Sequence, residues 1–174
     1  MKTESTEAVP RGASDGRKRE AYRVVLASVR SLLDGEDDWI AGLATTVTEL
    51  HHAFDAFDWT GFYRVKDDRR LVIGPYQGSH GCLRIPFDKG VCGACARAKQ
   101  TVIVPDVNTF EGHIACASST RSEIVVPVLG PSGELLAVLD VDSNDPAAFS
   151  NEDAQGLEEI CRTLVRQVWR AGPS

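Results

Sequence analysis

No apolar run in the 174-residue chain approaches the ~20 residues that a membrane-spanning helix needs. The first residues, MKTESTEAVPRGASDGR, hold no apolar core of the kind a secretory leader carries. Positive charge is also short: 19 Lys and Arg stand against 25 Asp and Glu, a net −6. Phosphate backbones are bound by Lys/Arg patches, and the cluster Arg17-Lys18-Arg19 is too short to form one. Nucleic acid is therefore not an expected partner. There is no internal repeat. The cysteines do not come in an even number: Cys82, Cys92, Cys95, Cys116 and Cys161 make five, which fits poorly with a secreted disulfide framework. The expected setting is cytoplasmic and reducing. There, cysteines are more often catalytic, redox-active or metal-binding than structural.

What is present suits one compact domain. Hydrophobic residues make up 43% and charged residues 25% of the chain, enough to build a proper core at this length. Residues 1–17 are polar and without periodicity, and read as a disordered tail; 18–170 read as the domain and 171–174 as a second tail. Tyr22, Val25, Leu26, Val29, Leu32 and Leu33 recur at helical spacing until Asp34-Gly35 stops them. A second helix is expected over about 38–55, with Trp39, Ile40, Leu43, Val47 and Leu50 on one face. WTGFYRV and RLVIGPY read as strands joined by a turn. The Gly-rich QGSHG leads to Cys82 and the short strand LRIPF; a helix opens at Gly90, and TVIV is a strand. Residues 105–122 form a long polar loop, a feature that tends to be functional.

The chain then makes a hairpin, EIVVPVL and ELLAVLDVDS around GPSG. Ser150 and Asp153 form a capping box for a C-terminal helix lined by Leu157, Ile160, Cys161, Leu164, Val168 and Trp169. This order implies an α+β fold: a central antiparallel sheet of about six strands flanked by N- and C-terminal helices.

A four-residue GPSG loop would pair Leu129 with Glu134 and set Glu123 opposite Asp140, with Asp142 two residues on along the same face. Three carboxylates would then crowd one patch. Such a patch persists when a cation sits in it or when a carboxyl holds its proton. The plain alternative is a solvated strand end. Cys116 lies in the loop that feeds this strand. A thiol beside acids able to donate protons, with a second thiol to resolve it, is equipment for reducing an S=O or O–O bond. Cys82, in a Gly-rich loop, and Cys92, near a helix start where the dipole favours a thiolate, are the candidate second thiols. Cys161 sits on an apolar helix face and reads as a small buried hydrophobe.

GPYQGSHGCLRIPFDKGVCG, VPDVNTFEGHIACASSTRSEIVVPV and LDVDSNDPAAFSNEDAQGLEEI resemble the free methionine-(R)-sulfoxide reductases, a GAF-domain enzyme family, in order across about residues 20–168. The resemblance implies a GAF-like single domain that reduces the R epimer of free methionine sulfoxide to methionine. It implies Cys116 as the nucleophile that becomes a sulfenic acid. Cys82 would be the first resolving thiol, with Cys92 able to form an alternative or later disulfide. Trp59 and Tyr63 would line the substrate pocket, and Glu123, Asp140 and Asp142 would surround the sulfoxide oxygen and the ammonium. Glu123 is the favoured proton donor and Asp142 its rival. The family implies no cofactor and no metal, thioredoxin or a thioredoxin-like dithiol as reductant, and a homodimer. Cys95 departs from the family pattern and makes Cys92-Gly93-Ala94-Cys95 a C-x-x-C; it is read as replacing alanine in a packed helix turn.

Two other readings use the same residues. Cys92, Cys95, His113 and Cys116 have the spacing of a structural zinc site, but that site leaves Cys82 and the three acids without a task. A GAF module that only binds a small molecule is the other, since a fold does not fix a function. A signalling sensor of that kind needs an output domain, for which 174 residues leave no room. His51, His52 and His80 take no role.

Overall fold

The computed structural model describes residues 7–67, 69–112 and 118–169. Its elements are α1 (Asp15–Leu32), α2 (Trp39–Ala53), β1 (Trp59–Asp67), β2 (Arg70–Gln77), β3 (Arg84–Pro86), α3 (Gly90–Ala98), β4 (Val102–Val104), β5 (Ser122–Leu129), β6 (Leu135–Ser143) and α4 (Asn151–Val168). The strands form one antiparallel sheet in the order β3-β2-β1-β6-β5-β4. This is the α+β arrangement that the sequence predicts. Helix starts follow the local chemistry. The Asp38 side chain accepts from the Ala41 amide at 2.7 Å, and Ser150 and Asp153 form the expected capping box. No helix among the described residues is long and apolar enough to cross a membrane.

Side-chain alternation divides the sheet into two faces. Phe62, Ile124, Val126, Val128, Ala137, Leu139 and Val141 point to the face covered by α1, α2 and α4, and build the main core with them. The opposite parity sends Trp59, Tyr63, Val125 and Val138 to the other face, where Val91, Cys92, Cys95 and Ala96 of α3 pack on them. Glu123, Asp140 and Asp142 share this second parity. The pleat alone therefore directs all three acids to the side that α3 and the loops cover.

Two expectations need correction. Residues 7–17 are not a free tail. Val9 is buried and bridges Phe54 in parallel, its amide donating to the Ala53 carbonyl at 2.8 Å. Arg11 donates to Asp58 at 2.5 Å and to Asp145 at 2.9 Å, and α1 already begins at Asp15. One apolar residue and one arginine, each with partners far along the chain, override the polar composition.

The hairpin register also differs. Leu129 pairs with Leu135, not Glu134, and an irregularity between Val128 and Leu129 brings Val128 opposite Ala137. Glu134 instead closes the turn, its carbonyl accepting from the Gly130 amide at 2.8 Å and its carboxylate from the Ser132 amide at 2.9 Å. Glu123 is therefore opposite Asp142, and Asp140 is opposite Val125. The offset amounts to two residues, an even number, so every side chain keeps its face.

Candidate active site

Ladder pairing across β4, β5, β6 and β1 puts Val104, Glu123, Asp142 and Trp59 in one row. The next row is Val102, Val125, Asp140 and Gly61. The acids thus sit at the centre of the sheet, with the Trp59 strand on one side and the short β4 on the other. Tyr63 lies two residues further along β1, opposite Val138.

An aromatic stack forms one wall. Trp59 stacks on Tyr63 with ring centroids 5.8 Å apart and on Tyr76 with centroids 5.4 Å apart. Its indole N–H donates to the Ser79 carbonyl at 2.8 Å, which ties the ring to the loop before Cys82. The loop comes close because its glycines allow it. A Cβ on Gly81 would lie 2.9 Å from the Tyr63 hydroxyl, and Gly78 holds φ +109 over the Asp58 carbonyl. The family resemblance pointed to Trp59 and Tyr63, which the structure stacks together, and not to Tyr76 or the Ser79 carbonyl. The pairing of Tyr76 with Gly61 across β1 and β2 was the available signal.

Burial favours the protonated form of these acids, and least so for Asp140. Glu123 and Asp140 are each 6% exposed. Burial drives the Glu123 carboxyl well above the ordinary range, and the charges of Asp140 and Asp142 add to this. Burial likewise raises Asp142, with Asp140 and then Asp58 as the next causes. Asp140 is raised less, to about 7, because burial is opposed by hydrogen bonds from Cys92 and Glu123. The arrangement is a neutral Glu123 donating to the most acidic member, Asp140. Asp140 Oδ1 is buried and accepts no hydrogen bond among the described residues. A buried, unpaired carboxylate oxygen is costly unless a donor arrives.

Cys92 does not behave as the helix-start argument expects. It is the third residue of α3, 3% exposed. Burial, followed by the nearby charges of Asp140 and Glu123, pushes its thiol well above the ordinary value. Desolvation beats the helix dipole here, and Cys92 is a neutral thiol donating to Asp140. Cys92, Glu123 and Asp140 each offer a ligand atom, all within 4.8 Å of one another. The three could hold a soft divalent ion only by giving up the protons that now link them. Cys95 is not in this cluster. It is fully buried behind Cys92 in the α3 layer, the packing position expected for it.

Cys82 lies partly buried against the same apolar layer and is disulfide-bonded. Cys92, Cys95 and Cys161 carry free thiols. Cys161 packs in the main core with its thiol pushed up to about 12 by burial. Cys116 and His113 lie outside the described residues. Asp58 is a charged neighbour that the sequence did not signal. Its amide donates to the Asp142 carbonyl at 2.9 Å, so it adjoins the acidic row from β1's leading edge.

Comparison with known proteins identifies the family. The GAF domain family matches residues 38–168. The chain is 38% identical over 158 residues to the free methionine-R-sulfoxide reductase of Saccharomyces cerevisiae, covering 87% of this chain and 88% of that one. It is 39% identical to the protein of the same name from Escherichia coli, covering 86% and 89%. The crystal structure of free methionine-R-sulfoxide reductase from Neisseria meningitidis in complex with its substrate superposes with a TM-score of 0.82 at 44% identity, covering 93% of this chain and 95% of that one.

Proposed function

The chain belongs to the GAF-domain family of free methionine-R-sulfoxide reductases, and from that membership we propose that its acid-lined pocket reduces free methionine-(R)-sulfoxide to methionine. The observation that carries this reading is the buried Glu123–Asp140–Asp142 row facing the Trp59–Tyr63 stack. The substrate has two needs there. Its ammonium requires a carboxylate, and Asp140 has an oxygen without a partner. Its sulfoxide oxygen requires a proton as it leaves sulfur, and Glu123 is held neutral. Trp59 offers a flat apolar surface to the methyl end. A peptide-linked substrate could not bury both backbone ends in such a pocket, which accounts for a preference for the free amino acid.

The chemistry then runs as follows. The Cys116 thiolate attacks the sulfoxide sulfur, Glu123 protonates the oxygen, and the resulting hydroxyl passes to Cys116 sulfur as the new S–S bond breaks, so that methionine leaves and Cys116 becomes a sulfenic acid. The Cys82 thiol attacks that sulfur, water departs, and a Cys82–Cys116 disulfide results. The engaged state of Cys82, beside three free cysteines, supports this pairing over one that uses Cys92 or Cys95. Cys92 is then the donor that keeps Asp140 ionised, with a later disulfide as its secondary role. A protein dithiol of the thioredoxin kind returns both cysteines to thiols. We assign the enzyme to the cytoplasm, where that reductant is available. A homodimer is expected of the family, and the exposed Val24, Leu32 and Ile40 on the helical side give it apolar surface to use.

The test supplies each sulfoxide epimer, free and within a peptide, with dithiothreitol as reductant. Methionine should form only from the free R epimer, and Cys116→Ser should form none even in a single turnover. Equal product from the S epimer or from the peptide sinks the reading, and a normal first turnover in Cys116→Ser sinks the nucleophile.

A further inference from the structure

We propose that the β2–β3–α3 face around Leu83 is the docking surface for an acidic dithiol protein, which reduces the disulfide of Cys82 from that side. This rests on the reductase reading above and adds where its electrons enter and what charge their carrier bears.

The first observation is the distribution of charge. The chain carries −6 overall, yet residues 64–99 hold eight basic and three acidic residues, a local +5 that leaves −11 on the remainder. That segment is the end of β1, which carries Arg64 and Lys66, followed by β2, β3 and α3 with their connections. Arg69, Arg70, Arg84, Lys89, Arg97 and Lys99 are all exposed. Pairing of Arg70 with Pro86 and of Val72 with Arg84 sets Arg70 and Arg84 on one side of the β2–β3 edge. Arg69, Arg70 and Arg97 line one open groove of about 810 Å³ with Pro86 and Phe87, where they outnumber the two acids of the lining, Asp67 and Asp88. Arg70 is occupied by Asp67 at 2.7 Å, but among the described residues no carboxylate pairs with Arg69 or Arg84. An acidic protein is attracted here and repelled by the rest of the surface, which orients it before contact.

The second observation is Leu83. At 67% it is the most exposed large hydrophobic side chain of the described residues. It stands between Cys82 and Arg84, and its carbonyl accepts from the Ile73 amide at 3.1 Å, which fixes it at the sheet edge. An exposed leucine that follows the disulfide-bonded Cys82 in the chain, inside a basic border, has the make-up of a contact patch: apolar centre, charged rim. Thiol–disulfide exchange requires the incoming thiolate to reach sulfur in line, and a flat apolar contact seats it there.

The exchange balances. The partner's first thiolate attacks Cys82 Sγ, forming an intermolecular disulfide and releasing the other enzyme cysteine as a thiolate that takes up a proton. The partner's second thiol then attacks the partner's own sulfur, freeing Cys82. Two electrons pass to the enzyme, and the partner leaves oxidised.

The experiment compares methionine formation supported by an acidic thioredoxin with that supported by dithiothreitol, for the wild type and the double variant Arg69→Glu, Arg84→Glu. The thioredoxin kcat/KM of the variant should fall ~10-fold at low salt. The wild-type value should fall by a similar factor as salt rises from ~0.02 to ~0.3 M. Dithiothreitol-supported rates should stay within about twofold in both comparisons, since a small neutral reductant needs no steering. If the double variant does not fold, the wild-type salt series decides. Normal dithiothreitol activity with thioredoxin rates indifferent to both charge and salt overturns the docking surface alone. Absence of methionine with dithiothreitol overturns the reductase reading and the docking surface with it.

Discussion

Glu123 and Asp142 face each other directly across the β5–β6 ladder, and Asp140 lies one step along on the same face. Opposed carboxylates repel unless protons sit between them. Folding therefore holds protons that the unfolded chain would release, and stability must respond to pH.

The direction follows from the raised pKa values. Asp140 moves from an ordinary 3.8 to about 7. Between those values the native state binds more protons than the unfolded state, so stability falls as pH rises through that window. For Asp140 the effect is at most ~4 kcal/mol, shared with its coupled neighbours. Asp140→Asn should flatten the decline of the thermal midpoint between about pH 5 and about pH 8 and raise the midpoint at the alkaline end. An equally steep decline in the variant would show that Asp140 is not the group whose proton the fold retains.

Glu123→Gln removes the acidic proton but leaves an amide N–H for Asp140. Methionine release in a single turnover should slow ~100-fold or more, with little change in KM. A normal rate with weakened binding would move the proton-donor role to Asp142.

The contrast between parity and register shows what was legible beforehand. Alternation along β5 and β6 assigns Glu123, Asp140 and Asp142 to one face without any three-dimensional information. Their pairing could not be read, because it depends on how Glu134 satisfies the turn and on one irregularity at Val128–Leu129. The same holds at the N-terminus. Val9 and Arg11 look like tail residues until Phe54, Asp58 and Asp145, distant in sequence, come within reach. Cys92 illustrates competing local and global effects. Its helix-start position is visible in the sequence, whereas its burial against Asp140 and Glu123 is not. The resemblance to a known family supplied the roles proposed for Trp59 and Cys82, which spacing alone left open.

Gly61 tests the aromatic wall. A Cβ there would come within 2.5 Å of both the Trp59 ring and Tyr76 Cβ. Gly61 also pairs with Asp140 across β1 and β6. Gly61→Ala should push the Trp59 ring from its place, raising KM for the sulfoxide ~10-fold or more while the fold persists. Trp59 fluorescence should shift with it. Wild-type kinetics in this variant would remove Trp59 from the substrate pocket.

Asp153 separates stability from chemistry. Its fully buried carboxylate accepts from Lys18 Nζ at 2.6 Å, the Tyr22 hydroxyl at 2.7 Å and the Ser150 amide at 2.7 Å. It thereby joins the starts of α1 and α4 on the helical side of the sheet, remote from the acidic row. Asp153→Ala would leave a largely buried ammonium, a phenol and an amide without their acceptor, at a cost of ~3–5 kcal/mol. Asp153→Asn keeps an acceptor oxygen but loses the charge, and should cost less. Denaturant unfolding measures both. Turnover per folded molecule should match the wild type in either variant, because this residue acts on the helical layer alone. A loss of turnover without a loss of stability would show that the helical layer controls the opposite face of the sheet.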